Sequence, residues 1–159
     1  MNEIMYEAGF LLSYTLDKLD NYKFVNPIYA VILEDGSKEF KEIKELSLEY
    51  SIPKAVSMYE ENSINAKSAT IIFPAELLDD NSNRYSVLII NIQKYNSLDY
   101  ITIALPYSFV NGFLQFTNYE LLDYFELLED DLTNLEKSFI QGAYSYDNAE
   151  NIWENKFTL

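Results

Sequence analysis

Two residue types are missing from this chain of 159 residues: cysteine and histidine. Without cysteine there is no disulfide and no thiolate metal site. Without histidine there is no imidazole, the commonest general base near neutral pH and a leading ligand of transition metals, so Ser–His and Cys–His catalysis are excluded. Glycine and proline are scarce, at four each, and no linker, low-complexity tract or internal repeat breaks the chain. Gly36 stands alone, and neither G-x-x-x-x-G-K nor G-x-G-x-x-G occurs, which removes the glycine-rich phosphate loops. No run of about 18 uncharged apolar residues is present to cross a bilayer. The opening segment MNEIMYEAGFLL sets Glu3 and Glu7 ahead of its apolar run and has no base before Lys18, unlike a secretory leader. The cytoplasm is the expected location.

Positive charge is also in short supply. Lys and Arg number 11 against 26 Asp and Glu, for a net charge of −15. The deficit is uneven: residues 1–115 hold 16 acids and 9 bases, whereas residues 116–159 hold 10 acids and 2 bases, so the last stretch carries −8. Such a field repels nucleic acid and anionic membranes and attracts basic proteins. Hydrophobic residues make up 48% of the chain, enough for one well-filled domain over residues 1–159.

Periodicity predicts an α+β fold. Ile4, Ala8, Leu11, Leu12, Leu16 and Leu19 share one helical face over 3–20, although alternation within 8–16 also suits a strand. PIYAVILEDGS reads as a strand ended by a turn at Asp35-Gly36. Ser37 then precedes Phe40, Ile43 and Leu46 at helical spacing, and Pro53 suits the first turn of a helix over 53–61. KSATIIF reads as a strand stopped at Pro74, with PAELLDD a helical turn. The strongest signal is an antiparallel hairpin, about 84–93 paired with 98–106 across the loop KYNS, its apolar runs covered on both faces. SFVNGFLQF adds a further strand. A mostly antiparallel sheet flanked by helices, with a helical last third, is the expected architecture.

The segment YELLDYFELLEDDL, residues 119–132, carries six carboxylates and no base. Thr117 and Glu120 match a capping box, which predicts a helix beginning there. Leu121, Tyr124, Phe125, Leu128 and Leu132 then share its apolar face, with Asp123, Glu126 and Asp130 opposite and Tyr119 and Leu127 at the border. A second box at Thr133 and Glu136 marks a kink, Gly142 a stop, and Asp147 the cap of a last helix carrying Ile152 and Trp153. A solvated acidic back is the plain explanation of such a helix. Two details favour a binding surface: no Lys or Arg offsets the acids at i+4, and apolar Tyr119 and Leu127 stand beside them as anchors do.

Fourteen tyrosines suit the same purpose, since each couples a large apolar area to one hydroxyl. In GAYSYDNAENIWENKF, Trp153 and Phe157 suit the core, and Tyr144 and Tyr146 suit equally a helix cap or a binding surface. MYEENS, residues 58–63, is a second cluster of Tyr and acids. DDNSN at 79–83 begins like a calcium loop, but Arg84 stands where the loop needs Gly and Ile90 where it needs Glu, so it reads as a polar turn. No motif places a pair of catalytic carboxylates, and no metal, cofactor or catalytic role is expected.

The expected function is inhibition by protein binding. In size and charge the chain resembles the immunity proteins that neutralise bacterial contact-dependent and type VI toxins; no motif carries that resemblance, and such proteins share no single fold. A toxin acting on nucleic acid needs a basic surface, which an acidic chain can cover quickly and tightly. It implies a basic toxin domain as partner, with no direct nucleic-acid or membrane contact, met through Tyr119, Asp123, Glu126, Leu127, Asp130, Tyr144 and Tyr146. A DNA-mimicking decoy and a structural adaptor are the alternatives; the oligomeric state is open.

Overall fold

The computed structural model describes residues 1–97, 99–125 and 129–158. The chain opens with a helix, α1 (Asn2–Tyr22), which buries Leu11 and Leu12 side by side together with Ile4, Ala8, Leu16 and Leu19. Adjacent buried leucines are incompatible with the alternation of a half-buried strand, so the helical period wins. The helix ends where Lys23 turns left-handed (φ 57°) and donates its N–H to the Leu19 carbonyl.

Strand β1 (Ile28–Ile32) follows, and the Asp35-Gly36 turn then reverses the chain. Gly36 adopts φ 83°, and the Asp35 carboxylate accepts both the N–H and the hydroxyl of Ser37. With Ser37 held by that turn, it caps no helix. Residues after it pair back on β1 as strand β2 (Lys38–Glu42), which corrects the helix expected there. Helix α2 (Leu48–Glu61) starts ahead of Pro53, because its buried stripe of Ser51, Ala55 and Tyr59 begins earlier. Pro53 therefore sits inside the helix, where it removes one N–H from the ladder.

Strands β3 (Ser68–Leu78), β4 (Arg84–Lys94) and β5 (Tyr100–Val110) form an antiparallel meander. The expected hairpin is present, paired from Val87 opposite Pro106 to Gln93 opposite Tyr100; β4 ends one residue later than expected, and β5 starts two residues later and runs on to Val110. Pro74 does not stop β3, and residues 74–78 of PAELLDD continue it as strand. The pairing with β1 ends at Ile72, so at Pro74 the strand has a neighbour on one side alone and a missing N–H is tolerated. DDNSN is a polar turn: Asp79 Oδ1 accepts the N–H groups of Asn81 and Asn83, each at 2.8 Å.

Asn111 and Gly112, both left-handed (φ 53° and 83°), close a tight turn into β6 (Phe113–Phe116), which pairs with the second half of β5. Strand β7 (Glu120–Phe125) then pairs with the first half, Tyr100–Ala104. Here the structure overturns the helix expected from Thr117. Ile101 and Ile103 of β5 are buried, and their strand would otherwise leave an edge of backbone groups unpaired. The Thr117 N–H goes to the Pro106 carbonyl at 3.2 Å, so no capping box forms. Helix α3 (Glu129–Tyr144) runs unbroken past Thr133, and α4 (Ala149–Asn155) is preceded by Asn148, not Asp147, at its N-cap.

The seven strands run β2-β1-β3-β4-β5, with β6 and β7 sharing the outer edge of β5. One face is covered by α1, α3 and α4, whose Leu12, Leu16, Leu135, Phe139 and Ile152 pack on Ile72, Leu88, Ile90, Ile101 and Ile103. On the other face α2 covers Tyr29, Val31, Ala69 and Ile71. Val87, Ile89 and Ala104 form a further buried group there, with Phe73, Ala75, Leu77 and Tyr85 around it.

Gly142 is not the helix stop that its residue type suggests. A Cβ on it would lie 1.8 Å from the Tyr6 carbonyl oxygen, and one on Gly9 would lie 1.9 Å from that of Phe139. Helices α1 and α3 thus touch backbone to backbone at two glycines, and Ser13 Oγ adds a 2.8 Å bond to the Ala143 carbonyl. Gly9→Ala or Gly142→Ala is expected to cost about 3 kcal/mol, at the upper end of the usual range for overpacking, read as a lower urea midpoint. Gly36→Ala, where nothing lies within 4 Å of the new Cβ, should cost about 1 kcal/mol through its left-handed backbone alone.

Candidate functional site

Strand β7 is the centre of the site. All six of its residues are exposed, and Leu121, Leu122, Tyr124 and Phe125 each leave 43–45% of their surface in solvent. It pairs with β5 on one side, and among the described residues no strand pairs with the other. The opposite end of the sheet is different. Edge strand β2 reads Lys-Glu-Phe-Lys-Glu and is tied down by ion pairs from Lys38 to Glu7 (2.7 Å) and from Glu42 to Lys18 and Lys44. A charged edge of that kind repels strand addition, whereas the apolar edge at β7 invites it.

A bulge orders the β7 side chains. Ile103 faces Leu121 and Thr102 faces Asp123, so Leu122 is the extra residue. Glu120 and Asp123, three apart in sequence, therefore fall on one face of the sheet, opposite Ala104 and Thr102. Leu121 and Tyr124, opposite Ile103 and Ile101, fall on the other face, towards α3. On that side Leu121 borders an apolar cleft of about 320 Å³ lined also by Met5, Ile101, Leu132 and Phe139.

Asp123 is held in place without being neutralised. Its Oδ2 accepts the Tyr100 hydroxyl and its Oδ1 the Tyr124 N–H, each at 2.9 Å. The bond to the Asp123 carboxylate shifts ionisation of the Tyr100 phenol to higher pH than usual. The Tyr100 ring stacks on Phe125, with planes 4° apart and centroids 6.1 Å apart.

The remaining predicted residues are dispersed. Tyr119 is half-buried; its hydroxyl donates to Glu136 on α3 and its ring meets Phe139 edge-on. Burial and then the Glu136 carboxylate push its ionisation well above the usual tyrosine range. Tyr144 is exposed at the end of α3 and stacks on Trp153. Tyr146 packs edge-on against Phe10 and Tyr14 and donates to Asp17 Oδ2 at 2.9 Å. Trp153 lies against Phe116 and donates to Ser13 Oγ at 2.7 Å. Glu126, Leu127 and Leu128 lie outside the described residues, as does the side chain of Asp130. Sequence reasoning missed Glu120 and Tyr124 as part of an edge. Its one available signal was that β5 needed a second partner.

The charge pattern is sharper in the structure than in the sequence. Among the described residues every ion pair takes its carboxylate from residues 3–76. Even Lys156 pairs back to Asp20 on α1, at 2.7 Å. Among the described residues, Glu120, Asp123, Asp131, Glu136, Asp147, Glu150 and Glu154 form no ion pair with Lys or Arg. Among the described residues no group of three carboxylates is placed to hold a metal ion, and no helix is long and apolar enough to cross a membrane.

The chain matches no family model, no curated protein and no solved structure.

Burial and then the Asp17 carboxylate push the Tyr146 phenol up to about 12. Its neutral form is the one the fold holds. That stability is complete below about pH 10, the free tyrosine value, and is lost as pH climbs through about 12. Tyr146→Phe should therefore remove one late-ionising phenol from an ultraviolet titration. Loss of that amplitude near pH 10, the free tyrosine value, instead of at high pH would contradict the Tyr146–Asp17 bond.

Proposed function

We propose that this chain is a protein-binding inhibitor, an immunity protein that neutralises a cationic bacterial toxin of the contact-dependent or type VI kind. It covers the toxin's active or nucleic-acid-binding surface and acts in the cytoplasm, without catalysis. The observation that carries the proposal is the uncompensated charge of the last third. Its seven described carboxylates all lack ion-pair partners, whereas six of the sixteen acids in residues 1–115 have one. Like charges left unpaired cost some stability, which a solvated surface gains nothing by keeping. Against a basic partner the same charges speed encounter and favour the correct docking orientation. The exposed apolar side chains of β7 beside them supply the anchors that charge alone does not.

The test is co-expression with the product of the reading frame immediately upstream in the source genome, scored by bacterial growth and by co-purification. The proposal expects the neighbour to kill alone, growth to be restored by this chain, and the two to purify as a complex. A harmless neighbour, or a toxic one that this chain neither binds nor silences, would contradict it.

A further inference from the structure

The inhibitor reading leaves open how the partner is held, and the inference here rests on that reading. We infer that β7 binds its partner by strand addition, taking an extended basic segment as the next strand of the sheet. Three observations meet at this edge. The strand is paired on one side only among the described residues, so its backbone can continue the ladder. Its four exposed apolar side chains form the kind of edge that proteins otherwise protect, as β2 does with Lys and Glu. The bulge at Leu122 brings Glu120 and Asp123 to one face, and among the described residues neither forms an ion pair.

These observations define the occupant. Side chains of an added strand alternate between the two faces. One face meets Glu120 and Asp123 and selects Lys or Arg. The other meets Leu121 and Tyr124, next to the apolar cleft, and selects apolar residues. The segment is therefore amphipathic, basic on one face and apolar on the other. A second copy of this chain is disfavoured, because β7 against β7 brings four carboxylates to one edge in a molecule of charge −15.

The experiment uses the full chain and a short peptide alternating Lys and Val. Amide hydrogen exchange is followed residue by residue. With peptide at about ten times its Kd, exchange of the free-edge N–H groups within Glu120–Phe125 should slow about tenfold. A peptide of the same composition with Pro at its centre, or one alternating Glu and Val, should give no such protection. Glu120→Lys with Asp123→Lys should abolish protection while the circular dichroism stays unchanged.

Protection elsewhere, equal protection by the Pro peptide, or no protection at any concentration would each overturn strand addition at β7. So would a dimer whose β7 amides are already protected without peptide. None of these results touches rescue by co-expression. Rescue without β7 protection would leave the inhibitor reading standing and remove this one, whereas absence of rescue would remove the inhibitor reading itself.

Discussion

Two missing side chains hold the architecture together. Gly9 and Gly142 let α1 and α3 approach until the backbone of each fills the space a Cβ would take on the other. That contact seats α3 along a helix whose opposite face is already buried on the sheet. Once α3 is seated, Leu135 and Phe139 reach the core, Phe139 meets Tyr119, and Glu136 receives the Tyr119 hydroxyl. The Tyr119 end of β7 is thereby tied to α3. Ser13 extends the joint by donating to the Ala143 carbonyl and accepting from Trp153, so α4 is fastened at the same place.

Charge is divided along the same lines. Most bases of the first part pair with its own acids, as at Lys18–Glu42, Lys38–Glu7, Lys54–Glu45 and Arg84–Glu76. The later part contributes Lys156 to Asp20 of α1, and its described carboxylates form no ion pair. Asp123 is oriented by the Tyr100 hydroxyl and the Tyr124 N–H, neutral donors that fix a carboxylate without cancelling its charge. A carboxylate held in this way offers a partner cation a fixed target at little further cost in side-chain entropy. Our proposal of an inhibitor draws on this combination of fixed geometry and uncompensated charge.

Much of the fold was legible because long periodic segments state their own structure. Helix α1, strand β1 and the β4–β5 hairpin follow directly from spacing. The errors share one cause: they lie where a neighbour decides. Residues 38–42 are a strand because Gly36 turns them back onto β1, and residues 120–125 because β5 has an edge to fill. Thr117 and Glu120 have the residue types of a capping box, but the Thr117 N–H is already committed to Pro106. Asp123 was identified as a surface acid on the wrong element. Glu120 was not recognised as its companion, because a bulge that moves a residue from one face to the other leaves no mark in the periodicity. Tyr146 was left between helix cap and binding surface, and its ring and hydroxyl are both engaged within the fold.

The central claim is electrostatic recognition of a basic protein, and its most direct measurement is the association rate with the upstream-encoded protein as a function of ionic strength. The account predicts a rate that falls steeply as salt rises towards a Debye length of about 8 Å, with dissociation changing much less. An association rate indifferent to salt would contradict it, because the unpaired carboxylates of the last third would then have no part in recognition.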